Sequence, residues 1–179
     1  LETEIRFIHK ELVEGSKSGN REAQYKLYNL YVGAVFNIGM RMLYSKEDAE
    51  DVVQESFVDA FTNLGKFKYD SSFGYWLKRI VINNCINHLK RQKVETTPFK
   101  NHEFYLHKVE DPEEVNMDVN QIKVGIGLLP KGYKQIIVLY LIEGYTHDEI
   151  AGFLSISPST SKSQYHRAKK KLLHILKDL

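Results

Sequence analysis

The sequence predicts an all-α protein of two small helical domains joined by a flexible acidic linker. Three observations carry this. Residues 1–92 hold apolar side chains at three- and four-residue spacing and contain no proline. Residues 93–118 change character, with Pro98, Pro112, weak periodicity and the acids Glu110, Asp111, Glu113 and Glu114. Residues 119–179 return to helical spacing and end in two short helices around a tight turn. No stretch sustains the alternation of a strand.

Composition narrows the class. A chain of 179 residues suits one domain or two small ones, and 42% hydrophobic residues can fill their cores. The formal net charge is only +2, so any nucleic-acid binding has to come from local clusters. Cys85 is the sole cysteine, which rules out an internal disulfide, and its apolar helical setting reads as core. The start, LETEIRFIHK, lacks the apolar stretch of a signal peptide, and no membrane insertion is expected. The expected compartment is the cytoplasm.

The elements follow in order. A first helix, about Glu2 to Glu14, sets Ile5, Ile8, Leu12 and Val13 on one side. Gly15 to Gly19 ends it and Asn20 caps the next. The second, about Arg21 to Leu43, has an inner face of Leu27, Leu30, Tyr31, Ala34, Val35, Ile38 and Met42. Ser45 with Asp48 opens a third, whose inner stripe is Ala49, Val52, Val53, Phe57, Ala60, Phe61 and Leu64. Its outer stripe is Asp51, Gln54, Glu55, Val58 and Thr62. After a break at Lys66 to Phe73, a fourth helix runs from about Ser72 to Arg91. It has Leu77, Ile80, Val81 and Leu89 inside, and Trp76, Lys78, Arg79, Asn83, Asn87, Lys90 and Arg91 more exposed. In the second domain, Pro130 starts a helix that Gly144 ends.

The last quarter carries the strongest local signals. Thr146 and Glu149 form a capping box, and Ile150, Ala151 and Leu154 give that helix an apolar face. Ser155-Ile156-Ser157 is the turn. Ser157 is a good N-cap, and Pro158 suits the first helical position because its missing N–H costs nothing there. The last helix presents Ser159, Thr160, Lys162, Ser163, His166, Arg167, Lys169, Lys170 and Lys171. Small hydroxyls at its start and cations beyond are what a helix needs to enter a major groove between phosphates. The same charge on a solvated amphipathic helix is the plainer reading.

Two further surfaces bear chemistry. Phe67, Tyr69, Phe73 and Trp76 lie beside Lys66, Lys68, Lys78 and Arg79, and such a mixture stacks unpaired bases and holds their phosphates. For Phe73 and Trp76, core positions that seat the loop are the better reading. Asn83 and Asn87, one helical turn apart, can hydrogen-bond base edges. The stripe Asp51, Gln54, Glu55 is by itself an ordinary solvated face, though it can dock on a basic partner. No glycine-rich phosphate loop, nucleophile elbow or zinc-protease motif is present, so neither catalytic residues nor a metal or other cofactor is expected. His102 and His107 lack ligand spacing. His147, His166 and His174 read as surface histidines.

These pieces match a family. Asp48 to Phe61 (DAEDVVQESFVDAF) and Phe73 to Arg91 (FGYWLKRIVINNCINHLKR) resemble region two of bacterial RNA polymerase sigma factors. Leu129 to Leu172 resembles their region four, and the two-domain form resembles the extracytoplasmic-function (ECF) group. The resemblance implies a factor that binds core RNA polymerase and directs it to promoters. Asp51, Gln54, Glu55 and Val58 would dock on the polymerase clamp, with the flap a further contact. The loop with Lys66, Phe67, Tyr69, Ser71 and Ser72, and the helix face with Trp76, Lys78, Arg79, Asn83, Asn87, Lys90 and Arg91, would melt the minus-ten element. There a non-template base is flipped into a pocket, at a few kcal/mol of lost stacking and pairing.

Ser159, Thr160, Lys162, Ser163, Gln164, His166 and Arg167 would read the minus-thirty-five element in duplex promoter DNA, with Lys169, Lys170 and Lys171 on phosphates. The acidic linker would thread the RNA exit channel. An anti-sigma factor or other recruiting protein fits as an additional partner. Gln164 stands where many relatives carry arginine, and Asn87 where many carry aspartate. A free-standing helix-turn-helix regulator and a sigma-mimicking decoy for an anti-sigma protein are the alternatives. Under the first, the outer stripe and the acidic linker have no task.

Overall fold

The computed structural model describes residues 8–95 and 118–179. All regular elements there are helical, and they fall into two compact units divided at Arg91 and Gln92. Most of the linker lies outside the described residues.

In the first unit, α1 (Lys10–Lys17) starts after a turn at Ile8 and His9 and runs past the predicted end at Glu14, while residues 2–7 of the predicted helix lie outside the described residues. Ile5 lies outside the described residues, and Ile8 is 72% exposed and outside the helix. Gly15 does not stop it. A Cβ there would sit 3.1 Å from the Ala23 Cβ, so this glycine marks where α1 packs closely on the next helix. The reversal comes at Gly19, with φ +84°, a conformation that favours glycine. Asn20 then caps α2 (Arg21–Leu43), its side chain accepting from the amides of Glu22 and Ala23.

The buried stripe of α2 winds round the helix over its length, from Ala23 and Leu27 to Val35, Ile38, Gly39 and Met42. Leu30 and Ala34, expected inside, fall on its trailing edge and are exposed. Ser45 caps α3 (Lys46–Asn63) by accepting from the Asp48 amide. The inner stripe of α3 is buried as its spacing requires, with Phe61 half-buried. A 3-10 turn (Leu64–Lys66) and a loop lead to α4 (Phe73–Glu95). On α4, Leu77, Val81, Ile82, Cys85 and Ile86 are buried, and Ile80 and Leu89 only half so.

In the second unit, α5 (Val119–Leu128) starts from a capping box between Asp118 and Gln121. Gly125 faces the last helix, where a Cβ would meet the Leu176 Cδ2 at 2.8 Å. Next come α6 (Lys131–Ile137), which follows Pro130, and a π turn (Val138–Ile142). Gly144 ends that run with φ +75°. α7 (His147–Leu154) begins with the Thr146–Glu149 capping box and buries Ile150, Ala151 and Phe153, with Leu154 half-buried. Ser155 takes a left-handed φ of 56° in the turn. Ser157 caps α8 (Pro158–Lys177), with proline in its first turn.

Candidate protein and nucleic-acid interfaces

The outer face of α3 presents Asp51, Gln54, Glu55, Val58 and Thr62 to solvent. Val58 is 65% exposed, an apolar centre among polar neighbours. Glu55 is not isolated: Arg91 Nη2 lies 3.3 Å from its Oε1. One turn from the start of α3, Asp48 Oδ1 is 3.1 Å from His88 Nε2. Side chains that the sequence assigns to different partners therefore meet on one surface.

The loop before α4 turns inward more than expected. Phe67 is 4% exposed, so it is a core aromatic and offers no open stacking face. Its ring centroid lies 4.7 Å from Tyr69, 5.3 Å from Trp76 and 6.1 Å from Phe73. Phe73 is buried and Trp76 half-buried, in keeping with a seating role. Tyr69 holds a left-handed φ of 63°, and its hydroxyl donates to Glu14 Oε1. Lys17 Nζ sits 4.5 Å from the Tyr69 ring centroid and donates to Glu14 at 3.0 Å and to the Phe67 carbonyl at 3.2 Å. Burial, then the Glu14 carboxylate, pushes the Tyr69 hydroxyl far above its ordinary range. The Tyr69 hydrogen bond, then that from Lys17, holds the Glu14 carboxyl below its own.

The rest of this face is more open. Ser72 accepts from the Tyr75 amide at 3.2 Å and so helps start α4, with Ser71 half-buried beside it. Arg79, Asn83, Asn87, Lys90 and Arg91 are exposed, and Lys78 is half-buried. An open groove brings Lys66, Trp76 and Asn83 together. It also takes in Ile80, expected inside, and three residues not singled out from the sequence: Asp59, Asn63 and the buried Asn84. Their signal was the four-residue spacing Glu55, Asp59, Asn63, which carries the polar stripe of α3 toward the loop.

On α8, Ser159, Lys162, Ser163, His166, Arg167, Lys169 and Lys170 are exposed, while Thr160, Gln164 and Lys171 are half-buried. The Ser157 hydroxyl accepts from the Thr160 amide at 3.1 Å and lies 2.8 Å from the hydroxyls of Ser159 and Thr160. His147 is not the surface histidine the sequence suggests. Its Nδ1 is 2.9 Å from the buried Ser161 hydroxyl, and its ring stacks on Tyr140 at 4.5 Å and 14°. Tyr165 closes the cluster, 4.6 Å from Tyr140. Burial, then the charge of Lys162 and His166, holds the His147 imidazole below its ordinary range against the opposing pull of Asp148. Among the described residues no acidic, histidine or cysteine group is placed to hold a metal ion, and no helix is long and apolar enough to cross a membrane.

A helical unit with an exposed acidic face, followed by a capped helix-turn-helix unit, is the plan of a transcription initiation factor. Residues 27–95 match the family model of sigma-70 region 2, and residues 120–172 that of sigma-70, region 4. The chain is 30% identical to the ECF RNA polymerase sigma factor SigW of Bacillus subtilis over 182 residues, 95% of this chain and 97% of that protein. It is 31% identical to the ECF RNA polymerase sigma-E factor of Salmonella typhimurium over 171 residues, 89% of each. Among solved structures, CnrH in complex with the cytosolic domain of CnrY has 25% identity and a TM-score of 0.57, over 93% of this chain and 96% of that one. The chain belongs to the ECF group of the sigma-70 family of RNA polymerase sigma factors.

Proposed function

We propose that this sigma factor docks on the clamp of core polymerase through Asp51, Gln54, Glu55 and Val58 and opens promoters with the adjacent face of α4. The observation that carries the reading is the chemistry of these two faces within one small unit. The α3 face is acidic with an apolar centre; the α4 face offers Arg79, Asn83, Asn87 and Lys90, cations and amides suited to a phosphate backbone and unpaired bases. Tyr69, Lys66 and Trp76 frame the place where a flipped base is received, and Phe67 supports it from beneath. On α8, Lys162, Ser163, His166 and Arg167 read the minus-thirty-five element, with Ser159, Thr160, Lys169 and Lys170 on its phosphates. Gln164 adds no cation there, so promoter choice rests more on the minus-ten element. The acidic linker passes through the RNA exit channel.

An anti-sigma protein or recruiting partner belongs to this proposal, supported by the capture of CnrH with the cytosolic domain of CnrY. The test is multi-round transcription on fragmented genomic DNA with purified core polymerase, with and without the factor. An Asp51→Arg/Gln54→Ala/Glu55→Arg variant runs beside it. New defined starts that vanish with the variant support the reading. Failure to co-elute with core overturns it in favour of a free regulator or a decoy. Co-elution without new starts places a recruiting partner at the promoter.

A further inference from the structure

The groove beside the loop is lined in part by a fixed acceptor. Ser56 Oγ donates to the Val52 carbonyl at 2.6 Å, which leaves its lone pairs to accept from Asn84 Nδ2 at 3.2 Å. The same nitrogen donates to Asp59 Oδ2 at 2.9 Å. Ser56 and Asn84 are both buried, so this chain of bonds sets the Asn84 amide and through it the Asp59 carboxylate. Asp59 Oδ1 has no protein partner among the described residues. Asn63 does not compete for it, since its amide nitrogen donates to the Asp59 backbone carbonyl at 2.9 Å and its oxygen accepts from Lys66 Nζ at 2.7 Å.

A carboxylate on a nucleic-acid face repels phosphate and cannot donate a hydrogen bond. It is useful there only to a base that brings a donor. Trp76 and Ile80 add apolar surface to the groove for a ring, and Lys66 adds a cation for the attached phosphate. Cytosine and thymine fill the same space but differ at position four, where cytosine carries an amine and thymine a carbonyl oxygen. A fixed carboxylate accepts from the amine and repels the carbonyl. Asn83, exposed on the same groove, can donate to the pyrimidine O2.

We infer that Asp59 is a specificity-determining residue that makes this groove read the unpaired non-template base as cytosine in preference to thymine. The inference rests on the proposed role of this unit in promoter opening. The test is selection by the factor assembled with core polymerase, on forked DNA whose non-template strand is randomised across the minus-ten element. The wild-type factor should enrich cytosine over thymine about tenfold at one position. In Asp59→Asn the new amide keeps the Asn84 bond through its oxygen and turns its NH2 into the groove. Thymine should then be enriched at that position alone. Asp59→Ala should show no preference there. Thermal melting of both variants confirms the fold, and the wild-type arm needs no variant. Thymine or a purine preferred by the wild type, or a cytosine preference that survives both substitutions, overturns the inference while leaving the sigma reading standing. No enrichment at any position overturns the reading itself.

Discussion

The Tyr69 hydroxyl donates to the Glu14 carboxylate across 55 residues of sequence, and this bond ties the loop before α4 to α1. Lys17 reinforces it from both sides, bonding Glu14 and lying over the Tyr69 ring. The tether holds Tyr69 in a left-handed backbone conformation that a non-glycine residue adopts only when its surroundings enforce it.

Cutting the tether should loosen the loop without unfolding the unit. Tyr69→Phe and Glu14→Gln should each raise the rate of tryptic cleavage after Lys66 and Lys68 by about three- to tenfold, with little change in melting temperature. The double variant should add little, because both remove one bond. Acid should act alike. The Glu14 carboxyl titrates below its ordinary 4.5 in the folded chain, so its contribution is present above that value and lost as pH falls through the lower, folded one. Cleavage unchanged in both single variants would show that Lys17 and the aromatic cluster hold the loop by themselves.

His147 gives the second unit a pH dependence of definite sign. Its folded state favours the neutral ring, since burial penalises the charged form and Lys162 and His166 repel it. Above the ordinary value of 6.5 the ring is neutral whether folded or not, and its packing contributes in full. As pH falls below 6.5 the unfolded chain takes up a proton that the folded chain resists, and stability declines until the lower, folded value is reached. His147→Gln, which keeps a partner for Ser161, should flatten the fall in melting temperature below pH 6.5 relative to wild type. Equal slopes would mean that other histidines carry the effect.

The helix boundaries that were legible in the sequence are those set by local chemistry. Asn20, Ser45, Ser157 with Pro158, and the Thr146–Glu149 pair each satisfy amides within a turn of themselves, so their meaning does not depend on the rest of the fold. Residues whose role depends on distant partners were misread or missed. Gly15 looks like a stop but is a contact with Ala23. Phe67 looks like a stacking face but closes on Trp76 and Phe73. Asp59 carries no signal of its own, and only Asn84, 25 residues away, gives its carboxylate a direction. His147 looks exposed until the π turn brings Tyr140 over it.

Close helix approach gives a packing prediction. At Gly39 an added Cβ would meet the Ala49 Cβ at 3.2 Å and its Cα at 3.5 Å, so α2 and α3 touch nearly backbone to backbone. Gly39→Val should wedge them apart and cost about 1–3 kcal/mol by chemical denaturation, since overpacking outweighs the gain from replacing a helical glycine. Gly33→Ala, on the same helix with nothing within 4 Å, should instead stabilise by up to ~1 kcal/mol. Reversed signs would mean that the two helices are free to shift.

The Glu55–Arg91 pair separates a structural role from a docking role. Both side chains are substantially exposed, 44% and 64%, so the pair itself is worth no more than ~1 kcal/mol and weakens with salt. Glu55→Arg and Arg91→Glu should each lose that small amount, and the exchanged double variant should recover it, because the same two charges face each other again. Affinity for core polymerase follows the other logic. If Glu55 meets a basic surface on the polymerase, placing arginine there repels that surface whatever stands at 91. The exchanged variant should therefore melt like wild type yet bind core at least tenfold more weakly, measured by fluorescence anisotropy of a labelled factor. Full recovery of binding in the exchanged variant would show that Glu55 serves only to hold Arg91, and would move the docking face toward Asp51 and Gln54.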